Sequence, residues 1–208
     1  MDRDRLHFIL RRLHSLSGIV PIGFYLLAHI FLENSFILGG PESFNFLVQG
    51  IARIPVPILL ATEILVLWGP ILFHALYGLV IVRTADVGTS LRYDYTNSYL
   101  YTLQRVTGVI ALAFICFHVY TTRLSHYFYG TEIDYNYMHS WMSSPVWFAM
   151  YLIGALSAIF HFTNGIWTFC ITWGIAVGVR AQRTLQYASV ALFVLMSGTG
   201  MAILIAFR

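Results

Sequence analysis

Five predominantly apolar runs, at residues 16–37, 57–82, 99–124, 145–173 and 185–207, account for most of the chain. Each reaches the roughly 20 residues that a helix needs to cross a bilayer. Inside hydrocarbon every backbone N–H and C=O must be paired within its own segment, which leaves the helix as the way for such runs to span. An all-α integral membrane fold follows, with residues 1–208 read as a single membrane domain. Only 10% of the residues are charged, against about a quarter in soluble domains, so water is the wrong solvent for most of this surface.

The few charges are informative in their placement. There is no lysine, and the twelve basic residues are all arginines. Arg3, Arg5, Arg11, Arg12, Arg83, Arg92, Arg105, Arg180 and Arg183 fall on one side of the five spans, against Arg53, Arg123 and Arg208 on the other. Cytoplasmic connections carry the arginine excess, so the N-terminus is predicted inside and the C-terminus outside. A net charge of +3 made of scattered arginines is no basic patch, and no nucleic-acid partner is expected. Residues 1–12 are polar and the run behind them is long enough to span, unlike a cleaved signal. Cys116 and Cys170 lie within apolar runs and form neither a CxxC nor a CxxCH pattern, which argues against cluster ligation and covalent haem attachment.

Short connections favour antiparallel neighbours, so spans one to four are predicted to form an up-down-up-down bundle, with span five a peripheral packing helix. Span one then lies diagonally opposite span three, and span two opposite span four. Each of these four helices carries one histidine within its apolar run: His29, His74, His118 and His161. Ionisable side chains in hydrocarbon are costly and usually functional. At a rise of about 1.5 Å per residue, His29 and His118 fall in the outer half, and His74 and His161 in the inner half. Depth thus sorts the four into two diagonal pairs, at levels on the order of 15 Å apart. A diagonal pair at one level can present two imidazole nitrogens to opposite faces of a disc on the bundle axis. That arrangement suits two b-type haems, each with two histidine ligands and no open iron position, which suits electron transfer better than oxygen chemistry. Histidines divided between two depths do not make one tetrahedral zinc site.

The surroundings of these residues agree with that reading. Phe73-His74-Ala75-Leu76-Tyr77-Gly78 and Phe160-His161-Phe162-Thr163-Asn164-Gly165 are both FHxxxG. The glycine four residues on shares the histidine's helix face, so Gly78 and Gly165 are expected to clear space for a porphyrin. Ser17-Gly18 before His29 and Thr107-Gly108 before His118 form a second, weaker echo between the halves of the bundle. Pro70, four residues before His74, is expected to kink span two.

Three stretches together carry a family resemblance: Arg12-Leu13-His14-Ser15-Leu16-Ser17-Gly18, Leu103-Gln104-Arg105-Val106-Thr107-Gly108 and Ile159-Phe160-His161-Phe162-Thr163-Asn164-Gly165. The chain resembles the membrane cytochrome b subunit of succinate:quinone oxidoreductases and fumarate reductases, in its single-polypeptide, two-haem, menaquinone-linked form. The resemblance implies that His74 and His161 ligate an inner, high-potential haem, and His29 and His118 an outer, low-potential one. It implies a flavoprotein subunit with FAD and an iron–sulfur subunit docked on the cytoplasmic face, which carry the succinate or fumarate chemistry. It also implies menaquinone as substrate, a bacterial or archaeal cytoplasmic membrane, and an assembly that a dimer of complexes is compatible with. Relatives that return protons across the membrane carry a glutamate beside the span-four ligand. Here Ser157, Ala158 and Ile159 precede His161, so that route is not expected.

Glu63 is the one carboxylate well inside a span, about 16 Å nearer the outer surface than His74. Quinone chemistry moves protons with electrons, which makes Glu63 a candidate proton relay at an outer quinone site; the alternative is a structural pair with an arginine such as Arg53. Arg12, His14, Ser15 and Arg105 gather at the cytoplasmic ends of spans one and three. They are candidates for haem propionates or a second quinone, since arginine matches carboxylates. His7, His126 and His139 are read as solvated. Other functional readings are the cytochrome b subunit of a hydrogenase or formate dehydrogenase, or a non-catalytic membrane scaffold.

Overall fold

A computed structural model describes residues 3–84 and 96–208. Arg92, and with it most of the connection between spans two and three, lies outside the described residues. Among the described residues the secondary structure is helical, with no strand. Five helices are long and apolar enough to cross a membrane: Asp4–Gly39, Val56–Thr84, Ser98–Tyr129, Pro145–Thr172 and Val179–Ala206.

Four of these reach beyond the apolar runs that identify them. Span one begins inside the polar N-terminal segment, where Arg5, Arg11 and Arg12 belong to the helix Arg3–Ile19. Apolar count marks only the hydrocarbon portion. A helix continues into the headgroup layer at little cost, because long arginine side chains reach back to water. The ends are set by local chemistry. Gly130 adopts a left-handed conformation (φ 66°) and closes the helix Ser125–Tyr129, a conformation that costs glycine little. Pro145 opens span four at a first-turn position, where its missing N–H costs no hydrogen bond.

Three spans contain a π-helical segment: His29–Glu33 in span one, Glu63–Trp68 in span two and Tyr120–Leu124 in span three. The one in span two stands immediately before Pro70 and closes with Gly69 N–H donating to Ile64 O. A proline removes one ladder donor and crowds the preceding turn, and a wider turn accommodates both effects. The expected disturbance of span two is thus a π segment ahead of the proline.

Span four is the centre of the assembly. It packs extensively against spans three and five and also against span one, while span one packs against span two, and span two more lightly against span three. The neighbours around the ring are therefore one–two–three–four, as up-down-up-down order requires. Span five holds to the outside, against span four and the far part of span one. Small residues permit the close approaches: a Cβ on Gly154 would collide with the Phe114 ring, and one on Gly23 with Phe162. A buried cluster gathers toward the end of the bundle that carries the C-terminus. There Ile30, Ile37, Phe44, Met142, Tyr151, Met196, Leu204 and Phe207 form one cluster. Two short helices, Pro41–Ala52 and Tyr135–Met142, cap this end. They are tied together by Tyr135 N–H donating to Asn45 Oδ1 at 2.8 Å.

Candidate functional site

The four intramembrane histidines meet as two pairs. The His29 and His118 rings have centroids 5.9 Å apart with their planes at 72°. His74 and His161 stand 6.1 Å apart at 88°. Each pair joins diagonal helices across the bundle, span one with three and span two with four. Two metal–imidazole bonds of about 2.0 Å on opposite sides of one ion would set ring centroids about 6.4 Å apart, counting roughly 1.2 Å from nitrogen to ring centre. Both observed separations are close to that spacing, so the residues present fit two bis-histidine iron sites.

Each ring is oriented through Nδ1, leaving Nε2 to face a ligand. His74 Nδ1 donates to the His14 carbonyl at 2.9 Å, and His161 Nδ1 to the Gln104 carbonyl at 2.8 Å. A helix carbonyl already accepts from the N–H four residues on, and its second lone pair is the one used here. Normally the side chain at that fourth position shields it. In span one the fourth residue after His14 is Gly18, and in span three the fourth after Gln104 is Gly108. A Cβ on Gly18 would lie 2.5 Å from His74 Cε1, and one on Gly108 would lie 2.8 Å from His161 Cε1. The two glycines are the cradles into which the His74 and His161 rings fit. In the other pair His29 Nδ1 bonds the Glu33 carboxylate at 2.7 Å, and His118 Nδ1 faces the Tyr151 hydroxyl at 3.5 Å. Partners of this kind fix the tautomer and aim of metal-ligating histidines.

A sequence model of the family described as succinate dehydrogenase/fumarate reductase transmembrane subunit matches residues 88–201. The chain is also 40% identical over 200 residues to the succinate dehydrogenase cytochrome b558 subunit of Bacillus subtilis (strain 168), covering 96% of each chain. The chain belongs to the succinate dehydrogenase/fumarate reductase transmembrane-subunit family. This membership favours the expected membrane cytochrome b over the hydrogenase, formate dehydrogenase and scaffold readings.

Around His74 and His161 the contacts of this family member run in parallel. His14, Gly18, His74 and Gly78 correspond to Gln104, Gly108, His161 and Gly165. Gly78 and Gly165 border His14 Nε2 and Gln104 Nε2, at 3.1 and 3.5 Å from where their Cβ atoms would be. In this structure their small size thus admits the neighbouring helix's side chain. His14 lies stacked on the His74 ring, with centroids 4.0 Å apart and planes at 12°. Gln104 donates to the His161 carbonyl at 2.9 Å and accepts from the buried Asn164 at 2.7 Å. Gly18, Gly108, Gln104 and Asn164 were all inside the motifs of the resemblance. Their roles depend on contacts between helices, which spacing along the chain does not reveal.

The other candidates divide between the two ends. Ser15 Oγ accepts from Trp173 Nε1 at 2.9 Å, and the Arg12 guanidinium lies over the Trp173 and Phe8 rings. Arg105 stacks on Tyr101 and donates to its carbonyl, while its Nε has no partner among the described residues. Glu63 pairs with Arg123 at 2.6 Å and accepts from the Tyr127 hydroxyl at 3.2 Å. Its partner is therefore Arg123 of span three, not Arg53. Both members of the pair stand on π-helical segments, which often occur at functional sites. The histidines read as solvated make hydrogen bonds. His7 approaches the Tyr77 hydroxyl at 3.4 Å, His126 bonds Thr131 O at 2.9 Å, and His139 bonds Phe207 O at 3.0 Å. Each lies near a polar helix end or connection, where short-range partners compete well with water.

Proposed function

We propose that this chain is the two-haem membrane cytochrome b of a succinate:menaquinone oxidoreductase, carrying electrons between an iron–sulfur partner and quinone in the bilayer. The observation that carries the reading is the meeting of four histidines as two diagonal pairs, with centroids 5.9 and 6.1 Å apart. His74 and His161 would hold the inner haem b, and His29 and His118 the outer one. When bound, the haems supply one-electron iron chemistry. The chain's part is to aim Nε2 through the Nδ1 bonds, to offer two histidines to each site, and to exclude water with apolar helix surface.

The same reading gives the remaining residues their parts. Arg12, His14, Ser15 and Arg105 stand at the inner end as the groups for haem propionates or quinone. Gly78 and Gly165 act through the neighbours they admit. Glu63, held by Arg123 and Tyr127, is the proton-exchanging group of an outer menaquinone site. A flavoprotein with FAD and an iron–sulfur subunit bear the succinate or fumarate site and dock on the inner face. That face includes the start of span one and residues 174–184; residues 85–95, expected to contribute, lie outside the described residues. The N-terminus is inside and the C-terminus outside.

Haem content tests the reading. Pyridine-haemochrome quantitation of the purified complex should give two haems per chain, both low-spin. Replacing His74 or His161 with alanine should remove one spectral component, and replacing His29 or His118 the other. One haem in the wild type, or loss of the same component from His29 and His74 variants, overturns it.

A further inference from the structure

The four Nδ1 partners are chemically unequal. His74 and His161 donate to backbone carbonyls, and His118 faces a neutral hydroxyl. Among the four, His29 alone meets a carboxylate, with Nδ1 2.7 Å from Glu33 Oε2. The local backbone builds this contact. Residues His29–Glu33 form a π-helical turn, closed by Asn34 N–H donating to His29 O. Residues four apart share a helix face, and the widened turn keeps Glu33 on the face of the His29 ring. Asn34 Nδ2 also donates to the His29 carbonyl at 2.8 Å and holds the widened turn in place. Tyr25, one turn earlier, stacks on the same ring and brings its hydroxyl to 3.3 Å from Nδ1.

We infer that Glu33 is a positioning residue that sets the outer iron site at a lower reduction potential than the inner one, by accepting the His29 Nδ1–H bond. This rests on the two-haem reading above. A carboxylate acceptor is stronger than a carbonyl or hydroxyl and makes the imidazole a better electron donor. A more basic axial ligand and a nearby negative charge both stabilise the oxidised, more positive iron. With neutral partners on the other three ligands, the structure builds a difference between two otherwise similar sites. Electrons are thereby held preferentially at the inner level until quinone accepts them at the outer one.

The test is optical redox potentiometry of the whole complex carrying Glu33→Gln, beside wild type and Tyr25→Phe. Glutamine retains an acceptor oxygen but not the charge. At the ambient potential that half-reduces the wild-type outer component, the Glu33→Gln outer component should be about tenfold more reduced than oxidised. That corresponds to an upward shift of about 59 mV for one electron. The inner component should not move, and Tyr25→Phe should shift neither. Loss of the outer haem from Glu33→Gln, with two haems kept in Tyr25→Phe, overturns the potential-setting role, since the carboxylate then holds the ring and does not tune it. An unshifted outer component in a two-haem Glu33→Gln complex overturns the role of Glu33 and leaves the two-haem reading intact. A wild-type complex with fewer than two haems overturns the reading itself.

Discussion

Gly18→Ala asks for one methyl group where the structure has no room for it. The new Cβ would stand 2.5 Å from His74 Cε1 and 3.0 Å from its Nδ1, whereas carbon atoms in contact settle at about 3.5–4.0 Å. The ring must therefore retreat by about 1 Å. Its Nδ1 is anchored 2.9 Å from the His14 carbonyl, and a retreat of that size takes the bond out of range. Overpacking costs about 1–3 kcal/mol, and the lost hydrogen bond about 0.5–1.5 kcal/mol more. Together these lower inner-site haem retention by about ten- to a thousandfold, at roughly 1.4 kcal/mol per factor of ten. Gly108→Ala, with contacts of 2.8 and 2.9 Å to His161, should act on the same site somewhat less severely. Gly198→Ala is the control, because nothing lies within 4 Å of its Cβ position and a mid-helix alanine is favoured over glycine. The assay is haem per chain after detergent washing, with the two components resolved in the reduced-minus-oxidised spectrum and chain abundance followed by immunoblot. The inner component should fall while the outer persists. Full retention of both haems in Gly18→Ala would refute the cradle argument, as would equal loss from both sites.

Glu63→Gln should slow succinate:quinone turnover by about a hundredfold, the low end of what acid–base groups contribute, with both haem bands and reduction of a soluble acceptor unchanged. Wild-type quinone rates would reduce Glu63 to a structural partner of Arg123. Orientation can be read from single-cysteine labelling in a background lacking Cys116 and Cys170. A membrane-impermeant maleimide should reach Ser140→Cys in intact cells, and Thr184→Cys only after the cytoplasmic face is opened. The reverse pattern would invert the topology and move the docking surface to the other end.

How much of this was legible beforehand depended on whether a property is one-dimensional. Span number, histidine depth and diagonal pairing need only the constant rise of a helix, the bilayer's fixed thickness and the alternation of antiparallel neighbours. These quantities run along the chain, and the observed pairs are the ones depth alone assigns. The helix ends were less legible, because span one continues through Arg5, Arg11 and Arg12 once hydrocarbon no longer decides. The His29–Glu33 contact did leave a signal, an i, i+4 pair, but only the observed 2.7 Å bond shows that the carboxylate meets Nδ1.

What tertiary structure alone decided is azimuth: which face of each helix meets which neighbour. Glycines at 18 and 108 look like ordinary packing residues until His74 and His161 are seen reaching the carbonyls of His14 and Gln104 beside them. Glu63 has several arginines at comparable depth or sequence distance, and only the approach of span three to span two selects Arg123 over Arg53. Gly78 and Gly165 share a face with the ligands, but that face also meets His14 and Gln104. The physical reason is the same throughout. A helix of apolar residues dictates its own length and depth through its backbone, whereas its rotation about its axis is set by how side chains on four or five helices interlock at once.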